Sequence, residues 1–86
     1  MPTVARLPRD IKISLNYNNH DPPHFHVVRA NGHVVFRIAD FQLLRGSMSR
    51  SDLLFVTAWV RSHQAELALN WVLARAKFEL REIPYP

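Results

Sequence analysis

Residues 24–39 read HFHVVRANGHVVFRIA, two apolar runs on either side of Asn31-Gly32. Asn-Gly is the pair preferred by a two-residue hairpin turn of type I′, because both turn positions need a positive φ. The stretch therefore predicts a β-hairpin with Ala30 opposite His33, Val28 opposite Val35 and His26 opposite Arg37. Side chains alternate across a sheet. Phe25, Val27, Val34, Phe36 and Ile38 then share one apolar face, which has to be the core side. The other face carries His24, His26, His33 and Arg37, with Val28 and Val35 between them.

Upstream, DIKISLNY at 10–17 sets Ile11, Ile13, Leu15 and Tyr17 against Lys12, Ser14 and Asn16, the period of a half-buried strand. Paired antiparallel with the first hairpin strand, it adds Lys12, Ser14 and Asn16 to the histidine face. Pro2 and Pro8 keep the first residues extended. NNHDPP at 18–23 ends the strand pattern, since proline cannot donate to a ladder and disfavours helix in the residue before it. Downstream, FQLLR at 41–45 reads as a short fourth strand before Gly46.

Ser49-Arg50-Ser51-Asp52 resembles a capping box, with Asp in the place usually taken by Glu or Gln. From Asp52 to about Phe78 the pattern is helical, without Pro or Gly. Ser62 offers a second N-cap, so one long kinked helix and two shorter helices both fit. Trp59, His63, Leu67, Asn70, Trp71 and Ala74 form one stripe, and REIPYP is a tail. The expected fold is a single α+β domain over 1–86: an antiparallel sheet of three to four strands followed by one long or two shorter helices. The helices pack on the Phe25/Val27/Phe36 face. The histidine face is left open or covered by a partner.

At 86 residues and 48% hydrophobic, the chain is long enough for one modest core and too apolar for a disordered segment. It holds no cysteine, so a metal site would have to be built from His and carboxylates. The N-terminus has no apolar run and no stretch reaches the length of a membrane span, so a cytoplasmic protein is expected. Eleven bases stand against seven acids, a formal charge of +4. The excess lies in the first half and suits RNA or an acidic protein partner.

Three of the five histidines, His20, His24 and His26, fall within HDPPHFH at 20–26. His24 and His26 are two apart on a strand and point the same way, with Arg37 expected opposite His26. A histidine exchanges protons near neutral pH, and an arginine holds a phosphate through its planar fork. His24, His26 and Arg37 are thus candidate catalytic residues for cleavage of RNA through its own 2′-hydroxyl. Lys12, Asn16 and His20 are candidate substrate-binding residues, and no cofactor is required. A second reading is a divalent transition metal held by His20, His24 and His26. A third gives these histidines only structural or interface roles. His33, beside the turn, is expected to be simply exposed. His63 is expected to pack or bond within its helix. Arg75, Lys77 and Arg81 read as a solvated helix end.

Several stretches resemble a family of small bacterial proteins known only as a domain of unknown function (number forty-one sixty). They are MPTV, IKISLNYNNHDPPHFHV, Gly46 and WVRSHQAELALNW. His20, Pro22, Pro23, His24, Phe25 and His26 match its first motif. Trp59, His63, Glu66, Leu67, Asn70 and Trp71 match its second. The family usually has an acid where this chain has Asn19, and often Leu-Pro where it has Met48-Ser49. The resemblance implies a two-gene module that looks like a toxin–antitoxin pair. A cognate small protein encoded nearby is then an expected partner; RNA is expected as a target from the basic histidine face and not from the resemblance, and a homo-oligomer is compatible.

Overall fold

The computed structural model describes residues 2–18 and 20–86. Asn19 lies outside the described residues. The elements run β1 (Thr3–Leu7), β2 (Ile11–Ser14), β3 (His24–Arg29), β4 (Gly32–Arg37), β5 (Leu43–Ser47), α1 (Arg50–Arg61) and α2 (Gln64–Arg75). The strands form one five-stranded sheet in the order β1-β2-β3-β4-β5, every pair antiparallel. The fold is α+β, with both helices after the sheet. Among the described residues no helix is long and apolar enough to cross a membrane.

The core forms on the face the alternation assigns to it. Ile11, Ile13, Leu15, Phe25, Val27, Val34, Phe36 and Ile38 are buried together with Val56, Trp59, Val60, Leu67 and Trp71 of the helices. Phe25 is wholly inaccessible and its ring lies 5.7 Å from that of Phe36. Phe25→Ala is expected to cost about 3–5 kcal/mol, transfer free energy plus the cavity left behind. A denaturant midpoint close to the wild-type value would show that Phe25 is not central to this core.

The hairpin forms, but not in the expected register. Arg29 pairs with Gly32, Val28 with His33, His26 with Val35 and His24 with Arg37. Both strands slip by one residue, so every side chain keeps its face while its neighbours change. The two loop residues are Ala30 and Asn31, and neither has a positive φ. Gly32 sits in the strand instead. A Cβ there would meet Ser47 O at 3.2 Å and the Met48 side chain at 3.3 Å, so glycine serves close approach of the chain after β5.

Two strand predictions need correction. β1 was expected only as an extended arm. A bulge between Thr3 and Ala5 buries Val4 and Ala5 in succession and hides the alternation. β5 starts at Leu43 and not at Phe41, because Phe41 has a positive φ of 59° within a turn. That turn is closed by Phe41 N donating to Arg37 O at 2.8 Å and Arg37 N donating to Gln42 O at 2.9 Å. β5 carries a bulge of its own: Val35 pairs with Arg45 and Phe36 with Leu43, leaving Leu44 as the extra residue.

The helical region is two helices. Ser49 caps α1, its hydroxyl accepting from Asp52 N at 3.1 Å. Asp52 does not complete a capping box. Its buried carboxylate accepts from Arg29 at 2.5 Å and Arg9 at 3.0 Å, which tie α1 to the end of β3 and to the β1–β2 turn. The hydrogen bonds from Arg29 and then Arg9 hold this carboxyl below the usual carboxylate range. Ser62 is the C-cap of α1, not the N-cap of α2. Its hydroxyl donates back to Trp59 O at 3.1 Å, and His63 takes the N-cap position of α2 without a side-chain bond to the helix it caps. The tail is docked and not free. Asn70 bonds both Arg81 O at 2.9 Å and Arg81 N at 2.7 Å, Ile83 is buried, and Ile83 N donates to Val4 O at 2.7 Å along β1.

Candidate functional site

The histidine face is built by three strands in register. Ser14 of β2, His26 of β3 and Val35 of β4 lie in one row, and Arg45 of β5 extends it. At a bulge two successive side chains are re-aimed, which lets both Leu44 and Arg45 reach the same hollow. From the other side comes the loop that follows β2. Lys77 Nζ holds it by donating to Tyr17 O at 2.9 Å and to Asn18 Oδ1 at 3.0 Å, and Arg75 bonds Asp21 at 3.2 Å. The predicted solvated helix end is therefore the anchor of the site loop. Between loop and strands lies a cavity of about 270 Å³ lined by Asn16, Asn18, His20, Asp21, Pro22, His24, His26, Val35, Leu44 and Arg45.

The imidazoles form a chain across this cavity. Ring centroids are 6.4 Å apart for His20 and His24, 5.4 Å for His24 and His26, and 5.2 Å for His26 and His33. His24 Nδ1 lies 2.8 Å from Pro22 O. A carbonyl only accepts, so Nδ1 carries the proton and Nε2 is the nitrogen left to work. The His24 ring also rests 5.2 Å from Trp71, so α2 fixes its orientation.

His26 is 5% exposed and lines the cavity. Its Nδ1 meets His33 Nε2 at 3.0 Å, while its own Nε2 is buried and has no hydrogen-bond partner among the described residues. The tautomer that donates from Nδ1 to His33 leaves an unshared lone pair on Nε2. Burial is the first cause, and the neighbouring charges of His24, His33 and Arg45 the next, that lower its pKa from 6.5 to about 4. His26 is neutral at pH 7.

This shift has a stability consequence. The unfolded chain binds the proton near pH 6.5 and the folded chain only near pH 4. The contribution of a neutral His26 is full above pH 6.5 and is lost as pH falls toward 4. The loss is on the order of 2 kcal/mol once screening by solvent at the cavity is allowed for. Urea midpoints measured across this range should fall with pH in the wild type and fall less steeply in His26→Gln. Parallel slopes for the two proteins would contradict the assignment.

The structure gathers some of the predicted residues and separates others. His20, His24, His26 and Asn16 line the cavity. Arg37 does not. The register sets it opposite His24, and its guanidinium is engaged by Asp40 at 2.9 and 2.6 Å and by Gln42. It clamps the β4–β5 turn. Those hydrogen bonds draw Asp40 down to a pKa of about 2. Lys12 pairs with Val28, one row beyond His26, and lines a separate hollow with Asp10, Val28, Arg29 and Ala30. His63 bonds Trp59 O at 2.8 Å and stacks on the Trp59 ring at 4.0 Å, as a structural histidine would. Among the described residues no group of three or more His, Cys, Asp or Glu is placed to hold a metal ion, so His20, His24 and His26 do not form a ready ligand set.

Arg45 is the residue the sequence reading missed. No carboxylate pairs with it among the described residues, and it faces His26 across the row. The signal was present in FQLLR followed by Gly46. Gly46 has φ +90°, and a Cβ there would come within 1.9 Å of His33 O. Extending that strand through the glycine places Arg45 beside Val35.

Comparison with curated proteins gives no match, nor does comparison with solved structures. The family model described as "Domain of unknown function (DUF4160)" matches residues 10–72, which run from the start of β2 through most of α2 and include every histidine of the chain. By that match, which spans well over half of its length, the chain belongs to this family.

Proposed function

We propose that the protein is the RNA-acting member of a toxin–antitoxin-like pair, and that the cavity between His24, His26 and Arg45 is its working site. The observation that carries this reading is the buried Nε2 of His26, without a partner among the described residues, beside a second imidazole and an arginine that no described carboxylate pairs. His26 Nε2 takes the proton of a ribose 2′-hydroxyl. The 2′-oxygen bonds to the adjacent phosphorus and the bond from phosphorus to the 5′-oxygen breaks. His24 enters this step as the imidazolium, its Nδ1–H held by Pro22 O, and gives its Nε2 proton to that leaving oxygen. Arg45 pairs with the non-bridging oxygens, where charge develops. The products are a 2′,3′-cyclic phosphate and a 5′-hydroxyl. His20 and Asn16 border the same cavity and serve substrate binding. Arg37 is replaced by Arg45 in the phosphate role.

The second reading is a non-enzymatic protein-binding module. It is favoured by the outer face of α2, where Ala65, Ala68, Leu69, Val72 and Ala76 are all exposed. Expression of the chain alone in a bacterial host separates the two. The proposal predicts growth arrest with new RNA cuts for the wild type and neither for His24→Ala/His26→Ala. If both proteins are folded and neither arrests growth nor cuts RNA, the protein-binding module is the better account.

A further inference from the structure

The sheet has two edges, and the chain treats them differently. At β1 the docked tail covers the edge, with Ile83 N bonded to Val4 O at 2.7 Å. At β5 nothing does. All five residues Leu43–Ser47 are exposed, and Leu43 and Leu44 keep 43% and 39% of their surface in solvent. Among the described residues the backbone of β5 bonds only β4. An open edge presents a row of N–H and C=O groups that pair readily with another extended chain.

We infer that β5 takes up an extended, acidic segment of a partner protein as a sixth antiparallel or parallel strand. Charge selects the occupant. The stretch from 41 to 50, FQLLRGSMSR, holds two arginines and no acid. Arg45 lacks a carboxylate partner, and the adjoining sheet face presents His33, His26 and His24. A second copy of this chain fits worse. Pairing β5 with its own copy about its centre sets Arg45 against Arg45, and like charges directly opposite destabilise a sheet. An acidic strand instead places carboxylates on the side of Arg45 and its apolar side chains on the side of Leu43. Leu44 and Arg45 also line the histidine cavity, so the added strand covers the mouth of that cavity. The consequence for activity rests on the function proposed above; the docking itself does not.

The test is a displayed library of ten-residue peptides selected on the intact wild-type protein. Selected peptides should be rich in Asp and Glu alternating with apolar residues. The synthetic peptide should protect β5 amides from hydrogen exchange and bind at least tenfold more weakly to Arg45→Glu. N-methylation of its alternate backbone nitrogens should cost at least tenfold as well, since strand addition needs those N–H groups. Selection of peptides without acidic bias, protection mapped to α2 in place of β5, or indifference to N-methylation would each overturn the proposal. So would concentration-dependent protection of β5 in the protein alone, which would identify a second copy as the occupant. None of these readouts involves RNA, so failure here is separable from failure of the cleavage reading.

Discussion

His26→Gln is expected to lower the rate of the proposed RNA cleavage by about 10²–10⁴-fold, the usual contribution of a positioned general base or acid. Glutamine keeps a polar atom for the contact that His26 Nδ1 makes with His33 Nε2 at 3.0 Å, so the fold is retained. What it removes is the proton acceptor at Nε2, which sits buried with no other partner. The loss should fall on kcat with KM little changed, because the group acts on the proton of the attacking hydroxyl and not on binding. His24→Gln should cost a similar factor, and the double variant little more than either single one, as for residues that act as a unit. A folded His26→Gln protein that cleaves at the wild-type rate would remove His26 from the mechanism. Arg45→Gln should instead raise KM and lower kcat together, since in the proposed mechanism the guanidinium meets the phosphate in both ground and transition states.

Gly46→Ala is expected to cost on the order of 4 kcal/mol, enough to unfold many small domains. Two effects add. The residue has φ +90°, where an L side chain is strained, and the new Cβ would lie 1.9 Å from His33 O and 3.0 Å from Val34 Cα. Those are backbone atoms of β4 and cannot swing aside, so β5 has to separate from β4 or the whole sheet has to shift. Because Arg45 is the neighbouring residue, any Gly46→Ala protein that does fold should also bind phosphate poorly. Gly32→Ala is the control. Its nearest contacts are 3.2–3.4 Å and its φ is not positive, so it should cost about 1 kcal/mol. Equal denaturation midpoints for the two variants would contradict this account of β5.

Much of the fold was legible because periodicity is a statement about faces. Ile11, Ile13, Phe25, Val27, Val34 and Phe36 alternate and are all buried in one core. Capping chemistry likewise located the start of α1 at Ser49. What failed was pairing. Asn31-Gly32 favours a type I′ turn, but Gly32 sits in β4 where the end of β5 and Met48 would lie 3.2–3.4 Å from a Cβ, a tertiary fit invisible in the local sequence. The shift moved Arg37 from opposite His26 to opposite His24 and left it to clamp Asp40 and Gln42. Bulges caused the other misses. In β1 a bulge hides a strand, and in β5 it brings an unforeseen Leu44 and Arg45 to the cavity. The histidines were legible as a group. That one of them would be a buried, neutral imidazole with an unsatisfied nitrogen was not, because burial of His26 depends on its neighbours from β2, β4 and the loop.

His24, His26 and Arg45 are proposed to cleave RNA through its own 2′-hydroxyl. The most direct measurement incubates the purified protein, in excess chelator, with a single-stranded RNA and with the same sequence made of 2′-deoxy nucleotides. The account predicts cuts in the RNA alone, with products ending in a 2′,3′-cyclic phosphate and a 5′-hydroxyl. Cleavage of the deoxy strand, cleavage abolished by chelator, or no cleavage of any RNA by folded protein would contradict it.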